Sequence, residues 1–200
     1  MMRPRPVLIV MVKEPRPGRV KTRLGRGIGM VAAAWWFRHA ARATLRRLRD
    51  PRWDLVLAVS PDREGLASRV WPTDLPRIPQ GRGDLGARMR RLLRAAPGPV
   101  CLIGGDIPEV RRRHIARAFA AAPAHDLVFG PATDGGFWLV GARRGSAVPA
   151  RLFAGARWSS EYALADSIAS VRGARIALVD RLRDVDEAAD LPGRTSPPRD

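Results

Sequence analysis

A basic loop after the first apolar stretch of the chain holds side chains suited to binding phosphate. It spans residues 13–24 (KEPRPGRVKTRL) and contains the only two lysines of the chain; the other basic residues among its 36 lysines and arginines are all arginine. Lysine and arginine are not interchangeable where a flexible ammonium must reach a phosphate. A glycine-containing basic loop that leads into a helix suits an oxyanion; a solvated basic loop is the alternative. Its spacing matches neither a Walker A loop nor GxGxxG, which disfavours ATP hydrolysis and dinucleotide binding.

Carboxylates follow other apolar stretches. Asp106 comes after the run 99–104, where it could hold Mg²⁺ on a diphosphate; capping of the next helix is the alternative. Asp184 and Asp186 follow a later run and either add to a metal site or begin a capped helix. Asp134, followed by two glycines, is by itself an ordinary turn signal.

The chain's single glutamine, Gln80, opens a polar, glycine-rich loop before a predicted helix. An amide beside exposed backbone groups would suit base recognition; a capped loop is the alternative. The three histidines have no partner pattern and are predicted to be structural or exposed. Cys101 lies in an apolar run and is predicted to be a small buried side chain. A single cysteine excludes an internal disulfide, and the scattered histidines disfavour a His/Cys zinc site.

Alternating strand and helix patterns must position these loops. Strands are predicted at 6–12, 53–59, 77–80, 99–104, 126–129, 137–140 and 175–179, and helices at 28–48, 64–70, 85–95, 109–122 and 160–171. This alternation predicts an α/β fold, a mostly parallel twisted sheet with helices on both faces. Ligands bind such sheets at the carboxyl ends of the strands. Trp35, Trp36 and Phe37 are predicted to lie in the core.

Composition narrows the class of protein. The 200 residues, 46% of them hydrophobic, predict one domain over residues 1–191 and a disordered tail over 192–200. No apolar run is long enough to span a membrane, and residues 13–15 interrupt the first run too early for a leader, so a cytoplasmic protein is expected. The net charge of +17 raises nucleic acid as a partner. However, there is no aromatic–basic interleaving, zinc finger or RNA-recognition motif, and the arginine excess fits GC-rich codon usage.

Six ordered motifs resemble a bacterial family described as nucleotide-diphospho-sugar transferases and as the glycosyltransferases of arsenosugar biosynthesis. They are KEPRPGRVKTRL at 13–24, QGRGDLGARM at 80–89, GGDIP at 104–108, GPATDGGFWLVG at 130–141, WSS at 158–160 and DVD at 184–186. The resemblance covers nearly the whole chain and implies a GT-A-type, Rossmann-like nucleotide-binding fold. The chain is also similar to the nucleotidyltransferases that make molybdopterin guanine dinucleotide and the deazaflavin cofactor precursor.

Carried over to these positions, the resemblance implies a Mg²⁺ (or Mn²⁺) nucleotide site. Lys21 and Arg23 would contact the diphosphate or triphosphate, and Asp106 would bind the metal, with Asp184 or Asp186 completing its ligands. The loop 80–84 would lie near the base. The implied nucleotide-binding residues are Lys13, Gly18, Lys21, Thr22, Arg23, Gln80, Gly83 and Asp84, and the implied acceptor residues are Asp134, Gly135, Gly136 and Trp158.

These residues fit two chemistries. GT-A glycosyltransferases carry Asp-x-Asp at the end of this strand, but Pro108 stands at the third position here. The basic loop also resembles the one on which nucleotidyltransferases stabilise pyrophosphate. Transfer of a sugar from a nucleotide-sugar to a small acceptor is the preferred prediction. Transfer of a nucleoside monophosphate from a triphosphate to a phosphorylated acceptor is the alternative, and a non-catalytic nucleotide- or nucleic-acid-binding protein is the third.

Overall fold

Seven strands form one mixed sheet in a computed structural model that describes residues 4–183 and residue 190. The strands are β1 (Val7–Lys13), β2 (Asp54–Ser60), β3 (Arg77–Pro79), β4 (Val100–Gly104), β5 (Leu127–Pro131), β6 (Phe137–Ala142) and β7 (Ile176–Leu178). Their order is β3-β2-β1-β4-β6-β5-β7. The two central strands, β1 and β4, are almost wholly apolar and buried, as expected for strands covered on both faces.

Helices cover both faces of the sheet. They are α1 (Thr22–Ile28), α2 (Met30–Arg47), α3 (Asp62–Leu66), α4 (Leu85–Ala95), α5 (Arg112–Ala121) and α6 (Ala163–Ala169). One apolar layer includes Phe37 and Leu45 of α2 and Ile115 of α5. The other includes Met89 and Leu92 of α4. The predicted α/β class is thus confirmed. No helix in the described part of the chain has the length and apolar character needed to cross a bilayer.

One strand runs against the others. β6 pairs antiparallel with both β4 and β5, whereas the remaining pairs are parallel. Leu139 lies opposite Ile103 of β4 and opposite Gly130 of β5. The short connection between β5 and β6 permits this reversal, because a parallel neighbour would need a crossover of a dozen or more residues. The turn of residues 132–136 therefore lies at the same sheet edge as the carboxyl end of β4.

One helix near the start of the chain was not predicted. The helix expected at residues 28–48 is present as α2 at 30–47, but α1 forms before it, overlapping the end of the basic loop. Gly29, with φ +90°, separates the two helices. The prediction of a buried aromatic trio is wrong for Trp35, which is 63% exposed, whereas Phe37 is buried. Helical periodicity accounts for this difference, because Trp35 and Phe37 are separated by about 200° around the helix.

Several smaller predictions can be compared with the structure. Asp84 caps α4, with its Oδ1 accepting a hydrogen bond from the Ala87 amide at 2.7 Å. Cys101 is fully buried in β4, and burial raises the pKa of its thiol. His114 is buried, and burial is the main cause that lowers its pKa. The proposed disordered tail, 192–200, lies outside the described residues.

Candidate functional site

A cleft of about 640 Å³ opens at the carboxyl ends of β1 and β4 and beside the β5–β6 turn. Parallel sheets of this kind bind ligands at such an edge. Nine of the residues proposed from the sequence line it: Lys13, Lys21, Thr22, Arg23, Gln80, Asp106, Asp134, Gly136 and Trp158. Four others are not in its lining: Gly18, Gly83, Asp84 and Gly135. Asp184 and Asp186 lie outside the described residues.

An ion pair joins the two halves of the predicted phosphate and metal site. The Lys21 Nζ lies 2.6 Å from the Asp106 Oδ2, and the two side chains are 8% and 27% exposed. Lys21 comes from the basic loop and Asp106 from the loop after β4, so this contact brings together residues 85 positions apart. The carboxylate therefore faces a largely buried cation at the bottom of the cleft.

The backbone at the site adopts conformations that ordinary residues rarely take. Lys21 has φ 45° and ψ 48°, in the left-handed region, and Ser159 has φ 58°. Both residues line the cleft. Phe153, with φ 71°, packs against Trp158 just beneath it. Non-glycine residues in this region carry strain of about 1–3 kcal/mol, and such strain clusters at functional sites.

The basic loop is fixed in place by a carboxylate outside the cleft. Glu64 of α3 accepts an ion pair from Arg16 at 3.1 Å and one from Arg19 at 3.5 Å. Arg19 also lines the cleft, a position that the sequence did not single out. Because these pairs are partly exposed, each stabilises the fold weakly. They connect the loop that presents Lys21 to α3.

The Gln80 side chain forms two hydrogen bonds to the sheet that the sequence did not predict. The side chain is buried, and its Nε2 donates to the Val12 carbonyl at 3.1 Å and to the Ala58 carbonyl at 2.9 Å. Both hydrogens of the amide nitrogen are thus used by the ends of β1 and β2. Base recognition by Gln80 remains a prediction, but the Nε2 donors are committed to the sheet.

The Asp134–Gly136 turn is held rigidly at the other side of the cleft. The Asp134 Oδ1 accepts from the Gly136 amide at 2.9 Å, and the Gly135 carbonyl accepts from the Leu164 amide at 3.1 Å. Gly135 has φ +87°, and a Cβ there would lie 2.2 Å from the Glu161 carbonyl oxygen. A glycine is therefore required by both conformation and space.

An aromatic wall lines the half of the cleft opposite the basic loop. The ring of Phe137 packs edge-on to Trp158, with centroids 6.3 Å apart, and stacks on Phe153 at 5.9 Å. Phe137 and Arg88 line the cleft but were not proposed as site residues. Phe137 directly follows the Asp-Gly-Gly turn, and Arg88 lies inside the 80–89 motif. Their places in these motifs are the sequence signal that could have identified them as cleft residues.

The donor set for a divalent metal can be tested on the described residues. Residues 4–183 and 190 contain no cluster of three or more His, Cys, Asp or Glu side chains able to hold a metal. Mg²⁺, however, is often bound by one or two carboxylates together with substrate phosphates and water. Asp106 is partly exposed in the cleft and fits that mode. A bound phosphate would have to replace the Asp106 carboxylate as a partner of Lys21.

A protein-family profile matches residues 44–160, more than half of the chain. The chain belongs to the bacterial family DUF2064. That family is described as an uncharacterised protein conserved in bacteria. Comparison with curated proteins gives no match to this DUF2064 chain.

Solved structures resemble this DUF2064 chain over almost its full length. A crystal structure from Desulfovibrio desulfuricans G20, provisionally named a nucleotide-diphospho-sugar transferase, has 28% identity and a TM-score of 0.80, covering 91% of this chain and 82% of its own. The predicted resemblance to nucleotide-diphospho-sugar transferases is thereby confirmed. Together with the cleft, this similarity identifies the DUF2064 chain as an enzyme of the transferase class.

Two more distant structures share the fold with the DUF2064 chain. A nucleotidyl transferase from Methanothermobacter has 15% identity and a TM-score of 0.61, covering 93% of this chain and 94% of its own. Rv0371c of Mycobacterium tuberculosis, in complex with manganese, has 16% identity and a TM-score of 0.53, covering 92% and 93%. The fold therefore occurs in a nucleotidyl transferase and in a protein crystallised with a divalent metal.

Proposed function

We propose that this protein transfers a sugar from a nucleotide-sugar to a small acceptor in a reaction that depends on Mg²⁺ or Mn²⁺. The observation that carries the proposal is the division of the cleft. Lys21, Arg23 and Asp106 follow β1 and β4. Asp134 and Phe137 lie in the turn before β6 and at its start, with Trp158 against Phe137. The first set suits a diphosphate, and the second suits the ring of a sugar and its acceptor. The likeness to the Desulfovibrio protein supports this assignment.

The proposed reaction forms a bond from the acceptor hydroxyl oxygen to the anomeric carbon. The bond from that carbon to the diphosphate oxygen breaks, and negative charge develops on the leaving phosphate. Lys21 and Arg23 neutralise this charge from fixed positions, so little reorganisation is needed as the charge forms. The Asp134 carboxylate, on the acceptor side, is assigned to accept the hydroxyl proton.

Asp106 would hold the divalent metal, and Asp184 or Asp186 would complete its ligands. When bound, the metal would supply further charge neutralisation on the diphosphate. Lys21, which pairs with Asp106 in this structure, would then contact the phosphate.

Nucleotidyl transfer is a second candidate, and one observation favours it. Pro108 stands where a GT-A enzyme would place the second carboxylate of Asp-x-Asp, so that pair of carboxylates is missing after β4. In this reaction a phosphorylated acceptor attacks the α-phosphorus of a nucleoside triphosphate and pyrophosphate leaves. The same basic loop would neutralise the pyrophosphate.

Product analysis separates the two reactions. We expect the protein with Mg²⁺ and a UDP- or GDP-sugar to release nucleoside diphosphate in the presence of an acceptor. Release of pyrophosphate from a nucleoside triphosphate, with no reaction of nucleotide-sugars, would instead establish the second candidate. Ligand-induced shifts of the melting temperature identify the base and sugar beforehand, because a ligand that binds the folded state stabilises it by mass action.

Two variants test the site independently of turnover. Lys21→Met and Asp106→Asn each remove a charged contact, and we expect nucleotide affinity to fall by about ten-fold to a hundred-fold, as for hydrogen bonds to charged groups. Asp74→Asn is the matched control, because Asp74 pairs with Arg49 on the surface outside the cleft. Unchanged nucleotide affinity in both cleft variants would refute the assignment of the site.

A further inference from the structure

The positive charge of the chain is concentrated in one segment. Residues 15–49, which span most of the basic loop together with α1 and α2, contain ten lysines and arginines and no aspartate or glutamate. The segment therefore carries +10 of the total +17, although it is 35 of the 200 residues. Codon bias raises arginine content everywhere, but it does not remove acidic residues from one pair of helices.

The outward face of α2 also exposes large apolar side chains. Val31 is 72% exposed and Trp35 is 63% exposed. Val31, Trp35 and His39 are four residues apart and so share one side of the helix. The His39 ring packs against the Trp35 indole with centroids 3.9 Å apart, and its Nδ1 lies 2.8 Å from the Trp35 carbonyl oxygen. The exposed indole is therefore held in place.

Cations continue the same face toward the C-terminal half of the helix. Arg38, Arg42 and Arg46 are spaced by four residues and fall in the same sector as Val31 and Trp35. Arg42 donates to the Val70 carbonyl, and no carboxylate of the described residues pairs with any of these three arginines. In contrast, Arg16, Arg19 and Arg49 of the same segment are neutralised by Glu64 or Asp74.

We propose that this face of α2, comprising Val31, Trp35, Arg38, Arg42 and Arg46, binds an anionic lipid surface. Exposed tryptophan and valine side chains next to arginines suit the surface of an anionic bilayer, where apolar groups enter the headgroup boundary and cations attract the anionic lipids. Tryptophan prefers this depth, and the arginines meet the phosphate groups of the lipids. The inference does not depend on the proposed function.

Other occupants fit the face less well. Val31 would find no apolar counterpart on the phosphate backbone of a nucleic acid. A second copy of the chain would bring two surfaces of the same strong positive charge together, and like charges across an interface are unfavourable. An anionic bilayer satisfies the apolar and the cationic parts of the face at once.

The test uses the full chain and vesicles of two compositions, phosphatidylcholine alone and phosphatidylcholine with phosphatidylglycerol in equal parts. We expect cosedimentation with the anionic vesicles only, together with a blue shift of tryptophan emission that Trp35→Phe abolishes. Trp35→Ala should weaken binding about ten-fold through the lost apolar contact. Arg38→Gln with Arg46→Gln should weaken it about five-fold for each arginine.

A charge-matched variant serves as the control. Arg94→Gln with Arg172→Gln removes the same charge from exposed positions next to the other apolar layer of the protein. This pair should leave vesicle binding within about two-fold of wild type, since charges beyond a Debye length are screened. All substituted positions are exposed, so an unchanged melting temperature verifies folding.

Three results would overturn the proposal. The first is the absence of binding to anionic vesicles at low salt, and the second is an equal loss in the control pair and the α2 variants. The third is a Trp35-dependent dimer or RNA complex in the absence of vesicle binding. Val31→Ser provides a second apolar variant, and retention of wild-type binding in both Val31→Ser and Trp35→Ala would exclude the apolar contact.

Discussion

Replacement of Gln80 tests whether its amide supports the sheet or faces a ligand. The amide nitrogen donates to two carbonyls, at 2.9 and 3.1 Å, from the ends of adjacent strands. Gln80→Met keeps the size of the side chain but removes both hydrogen bonds. At about 0.5–1.5 kcal/mol for each, we expect the free energy of unfolding to fall by about 1–3 kcal/mol.

Gln80→Glu places a carboxyl group against the same two carbonyl oxygens. Ionisation there is opposed by burial and by the carbonyl dipoles, so the pKa of the introduced group should be raised above its ordinary value of about 4.3. The protonated form can still donate one hydrogen bond. Stability is therefore retained best below the ordinary pKa and is lost as the pH rises through the raised pKa. At about pH 8 the expected loss is about 3–5 kcal/mol, as for an unpaired buried charge.

Urea denaturation at about pH 5 and about pH 8 measures these differences, and nucleotide titration of the same samples measures binding. We expect Gln80→Glu to fall further below wild type at the higher pH, and Gln80→Met to show a loss that does not depend on pH. Wild-type unfolding free energies in both variants, accompanied by weaker nucleotide binding, would refute the structural role and place the amide against the base.

Three further predictions follow from local geometry. Gly135→Ala should lower the free energy of unfolding by about 2–4 kcal/mol, because the new Cβ would meet the Glu161 backbone. Gly155→Ala, at φ +75° in open space, should lower it by only about 1 kcal/mol. Thermal unfolding of the two variants measures this difference. Burial lowers the pKa of His114, so the protein should lose stability as the pH falls below about 6.5, and His114→Gln should reduce that loss in denaturant titrations. Burial raises the pKa of Cys101, so a thiol reagent should modify the denatured protein and leave the native one almost unmodified, and rapid labelling of native protein would contradict the buried position.

The sequence predicted the fold well where local signals were strong. The helix at 85–95 has the predicted bounds, because Asp84 caps its start and Pro97 and Gly98 follow its end. The direction of β6 was not predicted, since the alternation of apolar residues is the same for a strand that runs either way. The short helix α1 was not predicted, because its sequence contains two glycines and continues the basic loop.

The candidate site was predicted as a set of loops, and the structure added how the side chains are arranged. The positions of Lys21 and Asp106 followed from the ends of apolar runs, but their contact depends on how distant segments pack. The amide of Gln80 turns toward the sheet, and no local pattern specifies that direction. Phe137 and Arg88 entered the cleft lining for the same reason, because the sequence does not show which side of an element faces the cavity.

The pairing of β4 with β6 fixes the distance between Asp106 and the Asp134 turn. Ile103 lies opposite Leu139, and Asp106 and the Asp134 turn are attached to these two strands at their adjoining ends. A slip of this pairing by two residues would keep the same faces buried yet move the turn by about 7 Å relative to Asp106. The register of the sheet therefore sets the spacing between the two halves of the cleft. Under the proposed function, a change of acceptor size is best engineered within residues 132–136, where the chain can lengthen while the spacing of the strands stays constant.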